Sequence, residues 1–118
     1  MAPEGADARL VPGAVVWASL EPIRGREQGG HRPCVVVASP GYLAAVTTLA
    51  LVVPVTTTDR GWPNHVRLTG HHGLAAPSWA MTEQVRTLAR TRLTATSGTI
   101  SAPCLGEIRV WLADFLDL

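Results

Sequence analysis

Glu27-Gln-Gly-Gly-His-Arg-Pro33 runs directly into Cys34-Val-Val-Val-Ala-Ser39, and this junction decides the fold. Cys34–Ser39 is short, apolar and mostly β-branched, which is the pattern of a buried strand. A second apolar run, Ala14–Leu20, lies upstream, opened by Gly13 and carrying Trp17. The segment between the two runs is therefore a loop joining two strands. A tight hairpin needs only a few residues. This loop is longer and carries Arg24, Arg26, Glu27, His31, Arg32 and the glycines Gly25, Gly29 and Gly30. Polar chemistry on a loop held between strands is the usual form of a binding or catalytic site.

Outward from the junction, Val46–Val55 is a third apolar run, with Pro54 marking its end or an edge position. Thr56–Pro63 reads as a turn, His65–Leu68 as a half-exposed strand, Gly70–Gly73 as a second turn, and Trp79–Leu88 as one or two short strands. The end of the chain differs. Ser101 is suited to cap a helix whose first turn holds Pro103, where the missing N–H is harmless. Leu105, Ile108, Trp111 or Leu112, and Phe115 then recur at helical spacing. Several short strands followed by one amphipathic helix predict a mainly β fold. A small antiparallel barrel is the economical form, because closure removes exposed edges.

The composition bounds the alternatives. The 118 residues are 47% hydrophobic and 16% charged, which suits one compact core. No apolar run approaches the ~20 residues of a membrane-spanning helix. Residues 1–12 lack the basic and apolar regions of a secretory signal and read as a flexible tail, leaving a single domain over residues 13–118. Net charge is only +1, and all ten basic residues are arginine. Any phosphate-binding surface must therefore concentrate its charge locally, as Arg24, Arg26 and Arg32 do. Cys34 lies in a strand-like run and Cys104 on the helix, without the paired spacing of a zinc site. Two reduced, buried thiols fit a cytoplasmic protein. His65, His71 and His72 have no acid or cysteine to complete a metal shell, so no metal and no cofactor is expected.

Glu27-Gln-Gly-Gly-His-Arg-Pro33 and the strand after it resemble the MazF/PemK family of toxin endoribonucleases, whose pattern is E-Q-x-G-x-R-P-x-x-V-x-S. Three later blocks resemble the same family in order: Val53-Pro-Val-Thr-Thr57, Gly61-Trp-Pro-Asn-His-Val-Arg-Leu68, and Glu83-Gln-Val-Arg-Thr-Leu88. The resemblance spans about residues 13 to 116. It implies an SH3-like barrel with a C-terminal helix, a homodimer, and a sequence-specific, ribosome-independent mRNA interferase. Such a toxin cleaves single-stranded RNA without metal and is neutralised by an acidic MazE-like antitoxin.

Each candidate residue has a chemical rationale beside that resemblance. Metal-free RNA cleavage needs a base for the ribose 2′-hydroxyl, and Glu27 is the only acid between Glu21 and Asp59. Arg32, before Pro33 at the foot of the loop, can clamp two phosphate oxygens as charge builds in the transition state. His31 is the better-tuned proton donor. Thr56, chiefly by resemblance, completes the catalytic set, with Thr57 assisting. Trp62 offers a platform for an unpaired base. Arg24, Arg26, Gln28, Glu83, Gln84 and Arg86 are the remaining expected RNA contacts. Trp17, Trp79 and Trp111 are expected in the core or in dimer contacts.

The chain departs from the family pattern at three places. Tyr42-Leu43 stands where an aromatic-Asn pair is common, Glu83 where aspartate is usual, and Met81 where PemK-like members have arginine. Two other functions compete. A CcdB-like gyrase poison needs an aromatic residue at the extreme C-terminus, whereas this chain ends Asp114-Phe-Leu-Asp-Leu118. An inactive RNA- or peptide-binding barrel would share the fold and lack the cleavage.

Overall fold

The computed structural model describes residues 10–20 and 30–118; Arg24, Arg26, Glu27 and Gln28 lie outside the described residues. The chain order is β1 (Ala14–Ser19), β2 (His31–Val36), α1 (Pro40–Ala45), β3 (Leu49–Thr56), β4 (His65–Arg67), β5 (Gly70–His71), β6 (Trp79–Met81), β7 (Arg86–Ala89), β8 (Leu93–Ile100) and α2 (Ala102–Phe115). Single 3₁₀ turns at Thr82–Gln84 and Arg90–Arg92 flank β7.

The strands form one antiparallel sheet in the order β4-β6-β3-β2-β1-β8-β5, with β7 also beside β3. The two ends of that row, β4 and β5, are separated in the chain only by Leu68 and Thr69. The sheet must therefore curl until its ends nearly meet, which gives the barrel-like form expected from sequence. Backbone hydrogen bonds from Leu68 to Ser78 and from Ser101 to Thr69 stitch that corner.

Alternation along β1, β2 and β3 sends side chains into two apolar layers. Val15, Val35, Val53 and Val55 face one layer, closed by Cys104 and Ile108 of α2. Val16, Cys34, Val36 and Val52 face the other, beneath Leu43 of α1. Burial on both faces is the reason these strands are continuous apolar runs and not alternating ones. Helix α2 starts as its sequence predicts: the Ser101 hydroxyl accepts from the Cys104 N–H at 3.3 Å. Its apolar stripe ends early, because Ile108 is fully buried whereas Phe115 is 46% exposed.

Four local features differ from the sequence reading or lie outside it. Pro40-Gly41 ends the strand but also opens α1, whose first turn is capped by the Ser39 hydroxyl accepting from Tyr42 N–H at 3.0 Å. Arg90 holds the far end of that turn through the carbonyls of Leu43 at 2.6 Å and Val46 at 3.1 Å. The Gly70–Gly73 turn contains a short strand, β5, paired with Thr99 and Ile100. Gly70 is required there: its φ is +100°, and a Cβ would lie 2.5 Å from the Ser101 nitrogen. Strand β8 is rich in Thr, Ser, Gly and Ala and has no apolar run to announce it, yet it pairs along most of β1.

Pro54 is the fourth. It sits inside β3, buried and opposite Cys34, not at an edge. The Val37 N–H donates to Leu51 O at 3.0 Å. Antiparallel pairs alternate between bonded and non-bonded, so Cys34–Pro54 is a non-bonded pair. The missing N–H of Pro54 points away from β2. There β3 changes partner, from Arg86 of β7 opposite Val52 to Ala80 of β6 opposite Val55. No bond of the β2–β3 ladder is lost.

Candidate active site

The arginine loop delivers its last residues onto the sheet sooner than the sequence suggests. Strand β2 begins at His31, so Arg32 is a strand residue paired with Ala18 of β1. The same alternation that frees Pro54 makes residues 33 and 55 a bonded pair. Pro33 has no N–H to give, which leaves the Val55 carbonyl without its ladder donor. The guanidinium of Arg32 takes that place, Nη1 donating to Val55 O at 3.4 Å. Pro33 thus does more than extend the backbone before it: it makes an acceptor that draws Arg32 across to the end of β3.

Thr56 is the last residue of β3. Its hydroxyl accepts from the Thr58 N–H at 3.1 Å, turning the chain sharply over the sheet end. These strand ends frame a pocket of about 520 Å³. His31 and Arg32 form one wall, Thr56, Thr57 and Thr58 a second, and Leu74, Ala75, Ala76 and Ser78 a third. Trp17 of β1, Pro33 and Val55 complete the lining. Four expected site residues, Arg32, His31, Thr56 and Thr57, are therefore gathered in one cavity. Trp17, expected in the core or a dimer contact, is a half-buried wall of that cavity. Behind it lies Cys34, fully buried, whose thiol is pushed up to about 12 by burial against the opposing pull of Arg86 and Arg32. It stays protonated and is no nucleophile.

A second group forms away from this lining. Trp62, 49% exposed, tilts over the ring of His65 with centroids 4.7 Å apart. The Arg60 guanidinium lies 5.8 Å from the Trp62 ring centre. His65 Nε2 meets Glu83 Oε1 at 3.0 Å, and Asn64 Nδ2 donates to the same oxygen at 2.7 Å. Burial raises the Glu83 carboxyl, but the hydrogen bonds and charge of His65, with the Asn64 bond, outweigh it and hold the pKa below the ordinary value. Gln84 donates to Glu83 and to the Met81 sulfur. Arg86 is exposed on β7. Trp62, Glu83, Gln84 and Arg86 do not line the Arg32 pocket. Among the described residues no three His, Cys, Asp or Glu lie close enough to hold a metal ion.

A family model described as PemK-like, MazF-like toxin of type II toxin-antitoxin system matches residues 11–116. The chain belongs to this family. It is 37% identical over 97 residues to the endoribonuclease toxin MazF of Escherichia coli K12, covering 80% of this chain and 84% of that one. MazF from Deinococcus radiodurans superposes with a TM-score of 0.76 at 32% identity, covering 92% of this chain and 97% of that one. A MazE-MazF structure from the same organism (Form-II) gives 0.77 at 31% identity, covering 92% and 96%. Within this family membership the pocket walls contributed by Trp17 and by Leu74–Ser78 escaped the sequence. Trp17 carries no signal beyond one aromatic residue in a strand, and Leu74–Ser78 is apolar but for a single serine.

Proposed function

We propose that this MazF-family toxin is an endoribonuclease that cuts single-stranded RNA at the pocket beneath Arg32 and Thr56. The observation that supports it is the convergence of Arg32, His31, Thr56 and Thr57 on one cavity at the strand ends. A phosphate there meets a guanidinium already steered by the Val55 carbonyl, together with hydroxyls from the turn. Glu27, on the segment leading into β2, takes the proton of the ribose 2′-hydroxyl. The freed oxygen attacks the adjacent phosphorus, the bond to the 5′ oxygen breaks, and His31 supplies the proton that oxygen needs. Arg32 offsets the charge that develops on the non-bridging oxygens. The products are a 2′,3′-cyclic phosphate and a 5′-hydroxyl, and no metal takes part.

The toxin acts as a homodimer in the cytoplasm and is neutralised by an acidic MazE-like antitoxin. Val110, Phe115 and Leu116 of the α2 region are 67%, 46% and 67% exposed, apolar surface of the kind that a second protomer covers. Cleavage of a defined RNA in EDTA tests the chemistry. Cut ends should carry the cyclic phosphate, and a 2′-deoxyribose at the cut position should make the substrate inert. Loss of cleavage in EDTA, or cutting of the deoxy substrate, overturns the mechanism.

A further inference from the structure

Thr56 opposes Trp79 on β6, and Trp79 opposes Arg67 on β4. Directly opposed residues of antiparallel strands project from the same face. Continuing the β2–β3 register two places beyond Cys34–Pro54 brings Arg32 opposite Thr56. Arg32, Thr56, Trp79 and Arg67 therefore stand in one row across four strands. Its first two members line the candidate active site. Its last two are stacked, with the Arg67 guanidinium 5.7 Å from the centre of the half-buried Trp79 ring. Arg67 is exposed, and among the described residues it makes no ion pair. Among the described residues its charge and donors are left to a ligand.

We propose that the Arg67–Trp79 stack is a nucleotide subsite for RNA whose scissile phosphate sits at Arg32 and Thr56; this rests on the nuclease function proposed above. Strands lie about 4.8 Å apart, so Arg67 is roughly 10 Å along the row from Thr56. That is a neighbouring-nucleotide distance, not a remote surface. The stack offers both parts of a nucleotide what they require. A guanidinium positioned over an indole can offer a face to a base and its N–H edge to a phosphate. The row also leads on: His65, two residues before Arg67 on β4, projects from the same face, and Trp62 packs on it. An acidic antitoxin tail would use the charge of Arg67 but not its planar stack. RNA uses both.

The test is binding of a labelled single-stranded RNA that spans the mapped cut site and carries 2′-deoxyribose there. Arg67→Ala should weaken the dissociation constant about tenfold and reduce the log–log salt slope by about 0.7, the loss of one phosphate contact. Arg67→Lys should keep the slope yet recover little affinity. On cleavable RNA, kcat at saturation should match wild type, unlike Arg32→Ala, and a circular dichroism melt should match too. Unchanged affinity and slope in Arg67→Ala, with wild type cutting normally, overturns the subsite alone. So does full rescue by Arg67→Lys, or a variant that loses only affinity for an acidic peptide. Wild type that neither binds nor cuts RNA overturns the nuclease function itself and the subsite with it.

Discussion

His65 Nε2 lies 3.0 Å from Glu83 Oε1, with only 2% of the histidine side chain exposed against 32% of the glutamate's. The pair ties the start of β4 to the 3₁₀ turn after β6. It also fixes the ring on which Trp62 leans. Glu83 is ionised more readily in the folded chain than in the unfolded one. Its contribution to stability is therefore complete above its ordinary pKa of 4.5 and is lost as pH falls through the lower folded value. Glu83→Gln should lower the melting temperature at neutral pH, with a smaller further drop at about pH 3 than wild type shows. Parallel melting curves for the two proteins at both pH values would exclude this role.

Arg32→Ala should reduce cleavage by about 10²–10³ while keeping the fold, as loss of one preorganised oxyanion donor does in other enzymes. Arg32→Lys should restore little, because a point charge does not reproduce the planar fork. Near wild-type rates for the lysine variant would sink the bidentate clamp. Glu27→Gln is the companion test. It should flatten the acidic limb of the pH–rate profile, and an unchanged limb would move the base role to His31.

Much of the lining of the candidate site was legible in the sequence because its signals are local. Thr56 follows an apolar run whose end is plain, and Arg32 precedes a proline at the foot of a strand. What was hidden depends on register. That Pro33 frees the Val55 carbonyl for Arg32 requires continuing the Cys34–Pro54 register one place, to residues 33 and 55. That His65 is the partner of Glu83, and not a solvated or metal-seeking histidine, requires β4 beside β6. Strand β8 was missed for another reason. Only Leu93 and Ile100 of its eight residues are buried, so its place comes from backbone pairing with β1 and not from apolar patterning. Pro54 misled because its missing N–H points away from β2, toward the side where β3 passes from β7 to β6, and no single-strand pattern records that.

Cys34 should be chemically silent in the folded protein. Its thiol is fully buried and held protonated, with the pKa pushed up to about 12. Cys104 is buried as well and donates to the Arg67 carbonyl at 3.5 Å. Alkylation at mildly alkaline pH should label neither thiol until denaturant is added, and then both, as mass spectrometry would read directly. Fast labelling of Cys34 in the native state would mean that the strand pair behind the pocket opens readily.

An acidic antitoxin peptide should inhibit by occupying the RNA site. Arg24, Arg26 and Arg32 concentrate charge on one segment of a chain whose net charge is only +1. A surface that attracts phosphate attracts Asp and Glu side chains equally, and both attractions weaken with salt. Inhibition should therefore be competitive with RNA. Reversing the charge at Arg24 and Arg26 should weaken RNA and peptide together. The double variant separates the possibilities cleanly, because neither residue has a proposed part in the chemical step. If it lost RNA affinity but held the peptide as tightly as wild type does, toxin and antitoxin would meet on a different surface, and the inhibition would be noncompetitive.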